Sequence, residues 1–229
     1  MTEARQLESG DQLETLYRHR FPEHELKHKQ AIWQVLCKRF FSRWVNPGDT
    51  VVDIGAGYCE FINNVTAANK IAVDLNPEVH HFAAPGVRVI NESCTAIRQL
   101  PAGSADVVFM SNFLEHLPDK QLVLGTFREA RRILNDDGHI IVLQPNIRFA
   151  YAEYWDFFDH HTALSDRSLV EGLQLAGFAP EVVIPRFLPY TTKSRLPQAP
   201  WLVALYLRFP PAWRLLGKQA LVVARKAQV

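Results

Sequence analysis

The chain has no apolar run reaching the ~18 residues that a membrane-spanning helix requires. Its N-terminus, "MTEARQLESGDQLE", has no apolar core, so no secretory signal is expected there. Cysteine is scarce. Cys37, Cys59 and Cys94 are odd in number and lack metal-ligand spacing, which argues for reduced intracellular thiols rather than a disulfide framework. There is no G-x-x-x-x-G-K-[ST], which excludes a P-loop. Internal repeats and low-complexity segments are also missing. A net charge of +1 over 229 residues excludes a polyelectrolyte binder, yet no Asp or Glu follows Glu181. The same tail holds Arg186, Lys193, Arg195, Arg208, Arg214, Lys218, Arg225 and Lys226.

What is present is an ordinary globular balance, 48% hydrophobic and 21% charged. Residues 12–45 read as helical with a break at Pro22. Short apolar runs at 50–54, 70–75, 87–90, 105–111 and 139–145 read as strands. Helical segments alternate with them, among them an amphipathic one over 119–135 that ends at "DDG". This alternation predicts an α/β fold, a mostly parallel sheet with helices on both faces. A further helix with Ser165 as N-cap and Gly177 at its end is predicted next, then strands at 179–185 and 218–226.

The stretch "VVDIGAGYCEF", residues 51–61, has the strand, glycine turn and helix of a nucleotide site. Glycines let a ligand approach the backbone beyond the carboxyl ends of the strands. Asp74 closes the second strand, 21 residues after Asp53, where a carboxylate can accept both hydroxyl hydrogens of a ribose. Glu60 stands where a dinucleotide fingerprint has its last glycine, and it would repel a pyrophosphate. Asp53 instead suits a ligand with a cationic amino group. S-adenosylmethionine has that group and a ribose, and carries no phosphate.

"VVDIGAGYCEF", "IAVDLNP", "ADVVFMSNFLEHL" and "ILNDDGHIIVLQPN" together resemble the successive motifs of S-adenosylmethionine-dependent methyltransferases with a seven-stranded Rossmann-like fold. The resemblance implies a last strand antiparallel to the rest. It also implies an N-terminal helical lid over 1–46 and a methyltransferase domain over 47–229 with a cap insertion at about 186–217. It assigns Asp53, Gly55 and Gly57 to the methionine end of the cofactor, Asp74 to the ribose and Leu75 to the adenine flank. Ser93 and Cys94 fall at the adenine amino group, and Ser111 and Asn112 near the sulfonium. Cys59 stands where a third glycine is usual, and Cys94 where many relatives carry an acid.

Methyl transfer to a hydroxyl benefits from a general base, and histidine suits neutral pH. His116 lies beyond the fourth strand, and His160 and His161 lie beyond the fifth. His160 or His161, oriented by Asp159 or Asp156, is the expected base; the competing reading gives these histidines a structural role, with His116 on the cofactor side. Tyr151 and Tyr154, in an aromatic stretch, are candidates for a sugar platform or for core packing. Arg18 and Arg20 in "YRHRF" are candidates for an anionic substrate group. No metal is expected. The softer resemblance of "PNIRFAYAEYWDFFDHHTALSDRSLVEGLQLAGF" and "LYLRFPPAWRLLGKQALVVARK" is to methyltransferases of bacterial surface-polysaccharide assembly. It implies O-methylation of a sugar, free or on a nucleotide- or lipid-linked glycan. The alternatives are N- or carboxyl-methylation of another metabolite, or a non-catalytic cofactor-binding module. No nucleic-acid partner is expected: base methylation uses N-P-P-[YF], and here the fourth strand leads into "SNFL". The expected location is cytoplasmic, with peripheral membrane contact through the basic, aromatic tail. Oligomeric state is open.

Overall fold

The computed structural model describes residues 23–190 and 199–227. A seven-stranded sheet runs through it in the order β3-β2-β1-β4-β5-β7-β6. The strands are β1 Thr50–Ile54, β2 Asn69–Val73, β3 Val87–Ile90, β4 Ala105–Ser111, β5 Leu134–Pro145, β6 Phe178–Ile184 and β7 Gln219–Lys226. β1 pairs in parallel with β2 and β4, and β4 in parallel with β5. β7 runs antiparallel to both β5 and β6. The strand order reverses at β1, so the carboxyl ends of β1 and β4 flank the crevice where open α/β sheets take their ligands.

Side chains alternate along each central strand and feed two cores. Val52, Ile54, Val108, Met110, Ile140 and Val142 face one side. They meet Phe127 and Ile133 of α4 (Lys120–Ile133) and Leu169 and Leu173 of α6 (Asp166–Leu175). Val51, Val107, Phe109, Ile141 and Leu143 face the other side. There they meet Leu36 and Cys37 of α1 (Glu23–Arg39) and Phe61 and Ile62 of α2 (Glu60–Asn64). Helix starts follow capping chemistry. Asp119 accepts the Gln121 and Leu122 N–H groups at 2.9 Å, and Ser165 forms a capping box with Ser168. Gly177, at φ +85°, closes α6.

Two expectations change in detail. The fifth strand starts at Leu134, not after the "DDG" turn. Ala105 pairs with Leu134 and Val107 with His139, so Asn135–Gly138 forms a bulge within the strand. The N-terminal segment is less a lid than expected where it is described. Leu36, Cys37, Phe40, Phe41 and Val45 are core, and the Trp33 ring meets Phe41, Phe61 and Phe109. Residues 1–22 lie outside the described residues. The expected insertion contributes α7 (Pro200–Arg208), which packs on α1, and α8 (Pro210–Leu216). Leu207 and Trp213 from these helices join the second core beside Phe187. No described helix is long and apolar enough to cross a membrane.

Candidate active site

The glycine turn after β1 forms one wall. Gly55 and Gly57 have φ of +73° and +49°, conformations that side chains other than glycine adopt at a cost. A Cβ on Gly55 would also lie 2.3 Å from the Phe113 ring, so the loop and the segment after β4 close on each other only because that position is bare. Cys59, where a third glycine was usual, adopts the left-handed conformation itself at φ +58° and begins α2 fully buried. The backbone of a three-glycine loop is therefore kept with a thiol in place of the last glycine.

Asp74 follows β2 as part of the next wall. Its two oxygens accept the Gly57 N–H at 2.8 Å and the Asn76 N–H at 2.9 Å, which fixes the carboxylate against the glycine loop. Burial raises its pKa above the carboxylate range, and those two N–H groups and the His116 charge act against the rise. Such a carboxylate favours further hydrogen-bond donors, as a ribose diol provides. Leu75 beside it is 57% exposed. Ser93 bonds Thr95 at 3.0 Å, and the Cys94 thiol lies 3.1 Å from the Thr126 hydroxyl. Burial raises the thiol's pKa. Cys94 is thus a neutral group tied to α4.

Asp53 is 3% exposed, beneath the loop, with its carboxyl accepting an N–H from Ile62 in α2. Burial, then the charges of Glu60 and Asp74, push its pKa well up. Its hydrogen bond to Ile62 ties β1 to the helix that follows the loop.

The other half of the site grows from the end of β4. Asn112 takes φ +47°, which asparagine tolerates better than most residues. Its N–H reaches Leu143 O at 2.9 Å, which turns the chain across β5 into the short 3-10 helix Leu114–His116. The Glu115 carbonyl then accepts the N–H groups of His161 at 2.8 Å and Thr162 at 3.1 Å. The Thr162 hydroxyl donates to Leu117 O at 2.6 Å. These bonds dock the loop after α5 (Ile147–Tyr154) onto the segment after β4. As a result His116 and His160 stack edge to face, with ring centroids 5.1 Å apart.

His116 Nδ1 lies 3.0 Å from Asp159 O and 3.2 Å from the Asp159 carboxylate. Burial lowers its pKa, but the hydrogen bond and charge of Asp159 and the charge of Glu115 outweigh it, and the net shift is upward. His160 is 7% exposed, with Nδ1 2.8 Å from Tyr154 O. Glu115 is 1% exposed; its carboxylate accepts from Gln144 Nε2 at 2.9 Å, and burial raises its pKa against the pull of His116.

The structure therefore redistributes the expected roles. Asp159 is in contact with His116, the histidine not paired with it in the sequence reading. His161 is exposed and held through its backbone. Tyr154 is not on a substrate surface: it is fully buried, and its hydroxyl donates to Thr162 O at 2.6 Å. Tyr151 is exposed. Arg18 and Arg20 lie outside the described residues. Glu115, Phe113 and Gln144 were missed. The acid beside His116 in "NFLEHL" was the available signal for the first.

This sheet order, with a reversed seventh strand, a glycine loop and an acid after β2, is the Rossmann-like fold of S-adenosylmethionine-dependent methyltransferases. The chain belongs to the methyltransferase-domain family, whose model matches residues 24–182. It is accordingly an S-adenosylmethionine-dependent methyltransferase. Its fold is similar to that of an S-adenosylmethionine-dependent methyltransferase from Archaeoglobus fulgidus, at 17% identity and TM-score 0.63 over 86% of this chain and 94% of that one. A Methanosarcina mazei methyltransferase matches at 15% and 0.61 over 83% and 98%. The [4+2]-cyclase SpnF matches at 16% and 0.61 over 86% and 81%, so the fold by itself does not fix the reaction. No curated protein matches the chain.

Proposed function

We propose that the chain methylates a hydroxyl oxygen of a sugar or a similar small acceptor, with His116 as the proton acceptor. The observation that carries this reading is the His116–Asp159 pair beside His160, at the carboxyl ends of β4 and β5. The cofactor's groups suit the residues present: Asp74 for the ribose, Leu75 for the adenine, and the open backbone of Gly55 and Gly57 between them. When bound, S-adenosylmethionine supplies a methyl group whose C–S bond breaks, with its electron pair left on sulfur, as the acceptor oxygen forms the new O–C bond. Asp159 holds the His116 ring by Nδ1, so Nε2 is the nitrogen that takes the hydroxyl proton. The neighbouring aromatic rings of Tyr154 and Phe157 fix His160 and with it the wall of the acceptor pocket.

The test is methyl transfer from radiolabelled cofactor to nucleotide sugars and lipid-linked glycans. Incorporation into a base-stable ether would support the reading. Methyl found only on nitrogen, or on a base-labile ester, would refute it in favour of N- or carboxyl-methylation.

A lipid-linked acceptor is favoured by a second surface. Trp201 and Leu205 on α7, Phe209 at its end and Leu215 on α8 are exposed, with Arg208 and Arg214 exposed among them. The opposite side is anchored, with Trp213 Nε1 donating to Tyr206 O at 2.8 Å. Aromatic and basic groups without a nearby acid in sequence suit an anionic lipid surface. Sedimentation with phosphatidylglycerol vesicles but not phosphatidylcholine vesicles is expected. Binding to neither, or unchanged binding in a Trp201→Ser/Phe209→Ser variant, would remove this part.

A further inference from the structure

The same cluster carries a possibility that the sequence spacing did not show. Glu115 and His116 are adjacent in the chain, and His160 comes from a different loop, after another strand. Each offers one ligand atom, and these atoms all lie within 4.8 Å of one another. We propose that Glu115, His116 and His160 form a binding site for a divalent first-row transition-metal ion of the zinc or manganese type.

Three features of the surroundings support the assignment. First, both imidazoles have Nδ1 within hydrogen-bond distance of a backbone carbonyl, Asp159 O for His116 and Tyr154 O for His160. Those carbonyls accept only, so each ring carries its proton on Nδ1 and its lone pair on Nε2. This outer-sphere arrangement sets the tautomer of metal-ligating histidines. Second, Glu115 is buried, and Gln144 Nε2 orients its carboxylate as an outer-sphere partner would. The other atom of that amide, Gln144 Oε1, is buried without a hydrogen-bond partner among the described residues. A water or hydroxyl held by the ion is a donor of the kind it lacks. Third, His116 is the partly exposed member of the set, with its side chain at 29%. The cluster therefore reaches solvent at His116, with Glu115 and His160 buried behind it.

Two imidazoles and one carboxylate are the donor set of open, reactive zinc sites and of related transition-metal sites. The nitrogen donors disfavour magnesium and calcium, which take oxygen shells. Bonds of about 2.1 Å in a tetrahedral shell place ligand atoms roughly 3.4 Å apart, so closure needs side-chain adjustments of about 1 Å. The open position would take the acceptor hydroxyl. The ion's charge lowers the pKa of a bound hydroxyl, and its proton passes to water before the oxygen reacts. With the ion bound, His116 is a ligand and the ion replaces it as the means of ionising the acceptor. This use of the ion rests on the O-methylation reading; the binding site itself does not.

The experiment is titration of chelator-treated full-length protein with Zn2+ by calorimetry, and with Co2+ by visible absorption, with neither cofactor nor acceptor present. One ion per chain is expected, with a Co2+ spectrum of nitrogen and oxygen ligation. Glu115→Gln keeps the amide contact to Gln144, and His160→Gln keeps a polar side chain. Each is expected to weaken binding by at least ~10-fold, by analogy with the 10–100-fold losses seen even for outer-sphere changes. His161→Ala, one residue along and outside the set, should bind as the parent does. Zn2+ at a fixed concentration should also raise the melting temperature of the parent more than that of Glu115→Gln, whose melting temperature without the ion reports its folding separately. No binding by the parent, equal affinity in Glu115→Gln and His160→Gln, or a thiolate-type Co2+ spectrum from the cysteines would overturn the proposal. A protein that binds the ion at these residues yet methylates no hydroxyl would overturn the O-methylation reading and leave the site standing.

Discussion

The proposed cofactor end of the site is made largely of backbone, and the proposed acceptor end is made of side chains that meet from distant parts of the chain. At the cofactor end, Gly55, Gly57 and the N–H groups around Asp74 do the shaping, all within a few residues of β1 and β2. At the acceptor end, His116 meets Asp159 and His160 only because the Glu115 carbonyl captures the N–H groups of the next loop. The first construction recognises its ligand through main-chain groups, which depend little on side-chain identity. The second depends on the docking of one loop on another.

If that division is right, substitutions at the two ends should move different quantities. His116→Gln is expected to have the largest effect, a fall in kcat of about 10²–10⁴ with the cofactor Kd unchanged. Calorimetry alongside turnover checks both halves; a cofactor Kd that moved with kcat would merge the two ends. Asp74→Ala should do the reverse. Losing a charged hydrogen-bond partner worth about 1.5–3 kcal/mol predicts a cofactor Kd weaker by roughly 10–150-fold. With saturating cofactor, kcat should return near the parent value; if it does not, Asp74 also shapes the acceptor end.

The pH dependence sharpens the comparison further. His116 holds its proton more tightly than an ordinary imidazole: burial opposes this, and Asp159 and Glu115 prevail. In the ion-free protein His116 as base must be unprotonated, so kcat should rise with pH through a value above that of an ordinary imidazole. Asp159→Asn removes the favouring charge and should move that limb to lower pH, while also lowering the plateau. An unmoved limb would detach Asp159 from the chemistry. The same shift has a stability consequence. The extra stability from protonated His116 is fully present below the ordinary imidazole pKa, and it is lost as pH rises through the raised one.

The contrast between the ends also explains what the sequence disclosed. Strand order and the glycine loop were legible because they rest on local signals: alternation along β1 and β4, Gly55 and Gly57 after a strand, and an acid at a set distance. The left-handed Cys59 was visible only as a departure, since no residue type announces that its backbone has kept a glycine's conformation. The burial of Asp53 was not legible, because an acid before a glycine turn reads the same whether it is exposed or enclosed. The sequence placed three histidines near strand ends, and the structure brings the rings of His116 and His160 together. Which acid served which ring was not legible, because it depends on hydrogen bonds across 43 residues between His116 and Asp159. The strand over residues 134–145 was shortened in the sequence reading because "DDG" reads as a turn, whereas pairing on both flanks carries the chain past it as a bulge.

Tyr154 supplies the mildest test. In the sequence it is one more aromatic beside Tyr151; in the structure it is a fully buried strut, its hydroxyl on Thr162 O and its carbonyl on His160 Nδ1. Tyr154→Phe removes a single hydrogen bond and leaves the Thr162 carbonyl without that donor. The expected cost is about 1 kcal/mol of stability, read by denaturant unfolding, with the cofactor Kd unchanged. The His160 contact runs through the backbone of residue 154, so it survives the substitution, and kcat should fall only modestly. A fall as large as that of His116→Gln would mean that the hydroxyl, and not the backbone, sets the histidine geometry, and the division between a loop-built acceptor end and a backbone-built cofactor end would need redrawing at this residue.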